Sequence, residues 1–140
     1  MRRCIVLARI ARQRGDAPVG SLIVHDGQVI AEAGERVDSA VDIAGHAEVE
    51  AVRRACQTLG TLDLPGCELY TTAEPCFMCS YAIRQTGISR VVIGTNVPAV
   101  GGVTSRYPIL TAPDIPGWPA PPAITEGVLR EECEALFASG

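Results

Sequence analysis

The chain has 140 residues, which fits one domain spanning residues 1–140 with a sizeable core. Apolar side chains make up 47% of it and aromatic ones only 4%, a globular balance, and no run reaches the length of a membrane span. The formal net charge is −4 and the arginines are scattered, so no basic stripe is present. This disfavours a nucleic-acid partner held by phosphate contacts and leaves small, weakly charged ligands open.

The N-terminal MRRCIVLARIARQRGD mixes arginines with apolar residues, but Arg9 and Arg12 interrupt the run before it can serve as a signal core. Cys4, Leu7, Ala8 and Ala11 fall at i, i+3, i+4 and i+7, which predicts a first amphipathic helix. A soluble, cytoplasmic protein is expected. Gly15 breaks the helix, and VGSLIVHDGQVIAEA follows, two apolar runs around Asp26-Gly27 that predict a tight β-hairpin. An irregular segment, residues 34–45, leads into HAEVEAVRRACQTLG, a helix with Val52, Ala55, Cys56 and Leu59 on its buried stripe and Gly60 as its stop. CELYTTA is a short buried strand, followed by a helix opening at Pro75 and ending near Gly87, then the strand SRVVIGT. Residues 98–122 carry seven of the ten prolines and must be largely loop, of a length common in the lid or wall of a site. A short run at 123–125 precedes a last helix, with Thr125 as its cap and Leu129, Cys133, Leu136 and Phe137 on one face. The order α-β-β-α-β-α-β-(β)-α predicts an α/β fold, a mixed sheet covered by helices on both faces.

Of the six cysteines, Cys4, Cys56, Cys67 and Cys133 sit among apolar residues and read as buried thiols. No secretory signal or small size argues for disulfides. Cys76 and Cys79 differ. At i and i+3 on a helix both sulfurs point the same way, and the helix N-terminus favours their thiolate form. Alone, such a pair also reads as a redox site, but a redox site has no use for a histidine and a carboxylate at another helix start. His46 opens the preceding helix, thirty residues before Cys76, with Glu48 two residues on. His46, Cys76 and Cys79 form a His/Cys/Cys set for one Zn²⁺ that leaves the fourth tetrahedral position to water, the mark of a catalytic site. Glu48 stands beside that position as a proton acceptor and donor. The only other histidine, His25, lies on the hairpin and is badly placed as a fourth ligand.

H-x-E followed by P-C-x-x-C resembles the signature of the cytidine deaminase superfamily. GDAPVGSLIV, GHAEVEAVRRAC, LYTTAEPCFMCSYAI, RVVIGTN and ITEGVLREECEALF resemble successive blocks of its nucleobase branch, which holds guanine deaminases, fungal-type cytosine deaminase and tRNA adenosine deaminases. The resemblance spans almost the whole chain, least of all the Pro-rich loop. It implies a three-layer α/β/α sandwich on a five-stranded mixed sheet, a homodimer or larger assembly, and zinc on His46, Cys76 and Cys79. It implies Glu48 as the catalytic proton shuttle, from water to a ring nitrogen and then to the departing amine. The backbone N–H of Ala47 would hold the substrate ring, with Thr72 as a further substrate-binding residue; Thr72 and Glu74 lie on the segment entering the second metal helix, Glu74 as an ordering residue.

Two departures bear on the substrate. In that branch an asparagine eleven residues before the metal histidine contacts the ring; here the position is Glu35. An ionised glutamate only accepts hydrogen bonds, so as a substrate contact it predicts a ring presenting an N–H. The competing reading leaves Glu35 in solvent or capping a turn. The tRNA enzymes resembling this chain carry an aspartate where Val97 stands, and a basic tail where this chain ends Phe137-Ala138-Ser139-Gly140. The expected function is therefore deamination of a free nucleobase or aminotriazine with a cytosine-like edge (cytosine, 5-azacytosine, isoguanine), with guanine as the alternative and tRNA disfavoured. Trp118, with Tyr107, either stacks on the base or anchors the loop. A zinc-stabilised interaction module is the reading from another class, and it leaves Glu48 without a purpose.

Overall fold

The computed structural model describes residues 1–138; Ser139 and Gly140, the end of the chain noted above, lie outside the described residues. The elements run α1 (Arg2–Gln13), β1 (Gly20–His25), β2 (Gln28–Gly34), α2 (Val37–Ala40), α3 (Ala47–Leu59), β3 (Glu68–Ala73), α4 (Phe77–Thr86), β4 (Arg90–Thr95), β5 (Ala123–Thr125) and α5 (Arg130–Ala138). The one-turn α2 sits inside the segment expected to be irregular. The sheet has five strands in the order β2-β1-β3-β4-β5. β1 is antiparallel to both β2 and β3, and β3, β4 and β5 are parallel. The hairpin turns at Asp26 and Gly27, both with positive φ, as a two-residue turn between twisted strands demands.

Alternation along the strands assigns each residue a face. Ile23, Leu69, Val91 and Ile93 join Ala51, Val52 and Ala55 of α3 and Ile83 of α4 in the main core. Across the sheet, Ile5 and Ala8 of α1 pack with Cys133 and Leu136 of α5. Gly20 lets α1 approach: a Cβ there would lie 2.1 Å from the Cys4 carbonyl oxygen. This is the three-layer α/β/α sandwich on a mixed sheet. No helix among the described residues is long and apolar enough to cross a membrane.

Three local expectations are corrected. Thr125 does not cap the last helix: it lies in β5, its hydroxyl accepts from Arg90 Nη1 at 2.9 Å, and α5 starts at Arg130. Phe137 and Leu59 are exposed rather than buried, 48% and 37% accessible, because each stands near the end of its helix, where the apolar stripe runs past its partners.

The Pro-rich loop has almost no regular structure, so its main-chain groups need other partners. Arg84 of α4 supplies them. Its guanidinium, 1% exposed, donates through Nη1 to the carbonyls of Ile109 and Ala112, each at 2.8 Å, and through Nη2 to that of Pro119 at 2.7 Å. The same guanidinium lies 5.2 Å from the Trp118 ring, which meets Tyr81 edge-on at 5.6 Å. Trp118 thus anchors the loop to α4. Replacing Arg84 with Met removes these donors while keeping much of the bulk. Unmet buried carbonyls cost about 3 kcal/mol in all. For a chain of this size that lowers Tm by roughly 10 °C. A thermal melt checks this, and a shift under about 2 °C contradicts the anchoring role.

Candidate metal and proton-transfer site

Two helix N-termini build the site. His46 is the N-cap of α3, and Cys76 is the N-cap of α4, both in extended backbone conformation. Cys79 follows one turn into α4 and is buried. The two strand–helix junctions converge because β1 and β3 are neighbours and α3 packs against α4. His46 Nδ1 lies 3.4 Å from each of Cys76 Sγ and Cys79 Sγ, and the two sulfurs are 3.6 Å apart. Among the described residues, these three form the cluster whose ligand atoms all lie within 4.8 Å of one another.

The donor set can be tested against zinc. Bond lengths near 2.3 Å to sulfur and 2.0 Å to nitrogen make a tetrahedron whose S–S edge is about 3.8 Å and S–N edge about 3.5 Å. The observed edges are within a few tenths of an ångström of these, so one ion fits without moving the backbone. Two thiolates and one imidazole suit zinc among the divalent metals, and three ligands leave one coordination position open.

Glu48, on the first turn of α3, is buried at 4% exposure. Its Oε1 accepts from Thr71 Oγ1 at 2.7 Å, and Thr71 in turn accepts from Ser21 Oγ at 2.9 Å. The other oxygen, Oε2, faces the cluster and accepts from Cys79 Sγ at 3.0 Å. The carboxylate is held at one end and presented to the metal position at the other. Burial raises its pKa, opposed by the Cys79 and Thr71 hydrogen bonds. Within the cluster, the hydrogen bonds with Cys79 and His46 pull Cys76 down to about 4, against burial. His46 is pushed up to about 9, chiefly by its hydrogen bond with Cys76, and Cys79 is pushed up chiefly by its neighbour Cys76 and by burial. The cluster shares protons that a divalent ion displaces on binding.

Glu35 is not a stray surface group. It follows β2, is half-buried, and feels the charges of His46 and Glu48; burial raises its pKa to about 6. Its N–H donates to Val19 O at 3.0 Å, which seats it at the rim of the site. Ala47 is fully buried between His46 and Glu48, and its N–H, at the first helical position, has no intrahelical acceptor. Val19, Ala47 and Ala73 form a small apolar cluster against which Ala17 and Val97 pack. Thr72 is not brought to the site. Since Thr71 reaches Glu48, alternation sends Thr72 to the opposite face, where its hydroxyl accepts from Gly20 N at 3.1 Å. Thr71 and Ser21 are the residues that sequence reasoning missed, and strand phase relative to Glu48 was the signal. Trp118 contacts Arg84 and Tyr81 rather than the cluster residues. His25 pairs with Asp26 at 3.6 Å on the hairpin and takes no part.

Comparison with known proteins agrees with the geometry. The tRNA-specific adenosine deaminase of Aquifex aeolicus is 42% identical over 108 residues, 77% of this chain and 72% of that one. The guanine deaminase of Bacillus subtilis is 44% identical over 84 residues, 59% of this chain and 54% of that one. A solved structure from work on A-to-I editing by tRNA:A34 deaminases superposes with a TM-score of 0.89 at 36% identity, covering 96% of this chain and 95% of that one. The guanine deaminase of Nitrosomonas europaea gives 0.81 at 26% identity, over 97% of this chain and 79% of that one. These likenesses leave the exclusion of a nucleic-acid partner without support; net charge, summed over the chain, does not report where its cations stand. The cytidine and deoxycytidylate deaminase zinc-binding region matches residues 1–95, which hold His46, Glu48, Cys76 and Cys79, and the chain belongs to that family of zinc-type deaminases, hydrolases acting on C–N bonds.

Proposed function

We propose that the protein hydrolytically deaminates a free nucleobase or related amino-heterocycle, with a preference for a cytosine-like edge such as that of cytosine, an aminotriazine or isoguanine. The observation that carries this reading is the Glu48 carboxylate, buried, braced by Thr71 on one oxygen and facing the His46–Cys76–Cys79 cluster with the other. His46, Cys76 and Cys79 would hold the zinc ion, which when bound would supply a nucleophile by lowering the pKa of water. Glu48 would accept the first proton of that water and hand it to the ring nitrogen beside the amino-bearing carbon; it would then take the second proton, from the hydroxyl left on that carbon as the C=O forms, and deliver it to the amine as the C–N bond breaks. Water and the amino-heterocycle become the oxo-heterocycle and ammonia. The Ala47 N–H binds a ring acceptor and sets the register, and the small side chains of Ala47, Ala73 and Val19 leave room for a planar ring.

Glu35 selects among rings in this reading. With a pKa of about 6 it is ionised at neutral pH and only accepts, so it favours a base presenting a ring N–H. A homodimer and a cytoplasmic location are part of the proposal; exposed Leu62, Met78 and Tyr81 on and beside the outer helices give a second copy an apolar surface.

Adenosine in tRNA is the second reading, favoured by the likenesses to tRNA deaminases in sequence and in structure. The proton chemistry is the same, while the ring and the sugar and RNA attached to it differ.

An ammonia-release screen of purines, pyrimidines and aminotriazines, run beside an inosine assay on tRNA, separates the two. Turnover of a free base with no inosine formed is expected; inosine formation with silence on every free base overturns the substrate class. Glu48→Ala is expected to lose at least about 1,000-fold in kcat with zinc still bound, since general acid–base steps contribute on that order. Full activity in that variant contradicts the mechanism. Glu35→Asn is expected to change kcat/KM ratios between bases by about 100-fold, the scale of a mismatched polar contact in a pocket. An unchanged substrate profile retires the role given to Glu35.

A further inference from the structure

We propose that Glu74 is a positioning residue of the deamination centre: its one buried carboxylate locks the Cys76 turn to residues 96–104 and so fixes Val97 against Ala47. This rests on the deaminase reading above. Glu74 is 4% exposed and immediately precedes Pro75-Cys76. Its Oε1 accepts from Asn96 Nδ2 at 3.2 Å, from the Val97 N–H at 2.9 Å and from Thr104 Oγ1 at 2.6 Å. Its Oε2 accepts from the N–H groups of Val103 and Thr104, both at 2.8 Å. The main chain completes the joint. Glu74 N donates to Thr95 O and Gly102 N to Pro75 O, each at 2.8 Å, and Cys76 forms a β-bridge with Gly101.

Residues 96–104 have no helix or strand ladder to absorb their N–H groups, and a carboxylate, with some four lone-pair directions, serves several at once. Both ends of this joint matter to the chemistry. On one side the turn delivers Cys76 Sγ to the cluster. On the other, Val97 packs in the apolar patch with Val19, Ala47 and Ala73, and Ala47 stands between His46 and Glu48. Gly101 shows how closely the parts fit. A Cβ there would lie 1.9 Å from Glu74 Oε2 and 2.1 Å from its Cδ, so the glycine is required by the carboxylate.

The isosteric amide discriminates among these contacts. In Glu74→Gln, an NH₂ at the Oε2 position would face two backbone donors that cannot turn. At the Oε1 position it meets the Thr104 hydroxyl, which can turn to accept, the Asn96 amide, which Glu126 and Arg130 hold in place, and only one backbone donor, the Val97 N–H. The amide therefore takes the second orientation, and Val97 loses its acceptor. The contact is also addressed from the other side by Gly101→Ala, which leaves Glu74 untouched.

The test uses the full-length zinc protein and four readouts: Tm, hydrogen exchange at the Val97 amide, zinc loss to a chelator, and steady-state KM and kcat. For Glu74→Gln, exchange at Val97 is expected to rise about tenfold, the worth of one hydrogen bond, and KM to rise by a similar factor with kcat changed less than about threefold. Gly101→Ala is expected to reproduce the KM effect and to speed zinc loss, because it pushes the Cys76 turn as well. Glu74→Asp, which keeps both oxygens one methylene short, should fall between wild type and Glu74→Gln. Wild-type exchange, zinc retention and KM in Glu74→Gln overturn the proposal. So does a lowered Tm with an unchanged KM for the folded fraction, which is what a merely structural role produces. Exchange and zinc loss decide the matter even where the ammonia screen finds no substrate, and Glu74→Gln decides it alone where Gly101→Ala does not fold.

Discussion

A carboxylate taken out of water beside two thiols is unfavourable unless something answers its charge, and Glu48 is in that position. Its burial is the constraint to which the surrounding structure conforms. Thr71 answers one oxygen and is itself braced by Ser21 from the neighbouring strand. The other oxygen is left to Cys79 and the metal position. Ser21 and Thr71 are register partners in the antiparallel β1–β3 pair, so the brace is a product of strand pairing and not of local sequence. Slipping that register by one residue would break the Ser21–Thr71 pairing and turn Thr71 away from Glu48. The sheet is therefore part of the proton-transfer apparatus, although only its rim touches the site.

The same logic, with opposite signs, holds the Pro-rich segment. Glu74 collects main-chain N–H groups from residues 97, 103 and 104, while Arg84 collects main-chain carbonyls from residues 109, 112 and 119. Neither charge pairs with the other. Each is neutralised by peptide dipoles of the loop it organises, Glu74 from the turn just before α4 and Arg84 from the last turn of that helix. A loop with little ladder of its own thus acquires a fixed shape from two side chains of one helix and its preceding turn. Its shape is therefore coupled to the turn and helix that carry Cys76 and Cys79 rather than independent of them.

This division explains what could be read in advance. Metal ligation demands particular residue types at particular spacings, so His46, Glu48, Cys76 and Cys79 stand out in the chain, and the alternation of strands and helices predicts the layers. Contacts between a side chain and distant backbone leave no such trace. Glu74 stands out only through the resemblance, as an ordering residue of its own turn, and Arg84 looks like any arginine, because their partners are mostly peptide groups whose identity does not depend on sequence. Thr71 and Thr72 are adjacent and chemically identical, and only the phase of β3 against α3 decides which of them meets Glu48. Thr125 has the right chemistry for a cap, but it is claimed by β5, and the helix begins five residues later. Net charge is the weakest guide of all: the acidic total says little about a surface on which Arg3 is matched by Glu32 while Arg2 and Arg9 stand exposed.

Glu35 is where composition, geometry and likeness pull apart. Adenine within a nucleoside has acceptors at its ring nitrogens and a sugar on the nitrogen that would otherwise carry hydrogen. Its only donor is the amine that the reaction removes. An ionised carboxylate at the rim finds nothing to accept there, and desolvating it against ring lone pairs is unfavourable. A free base keeps a ring N–H at the position the sugar would occupy, and the same carboxylate then gains a charge-assisted hydrogen bond. The likeness to tRNA deaminases reports the shared scaffold and the shared proton chemistry, both built from Glu48 and the three metal-binding side chains. The proposed role of Glu35 rests instead on its half-buried place at the rim, where burial raises it to about 6 and leaves it ionised at neutral pH, able only to accept.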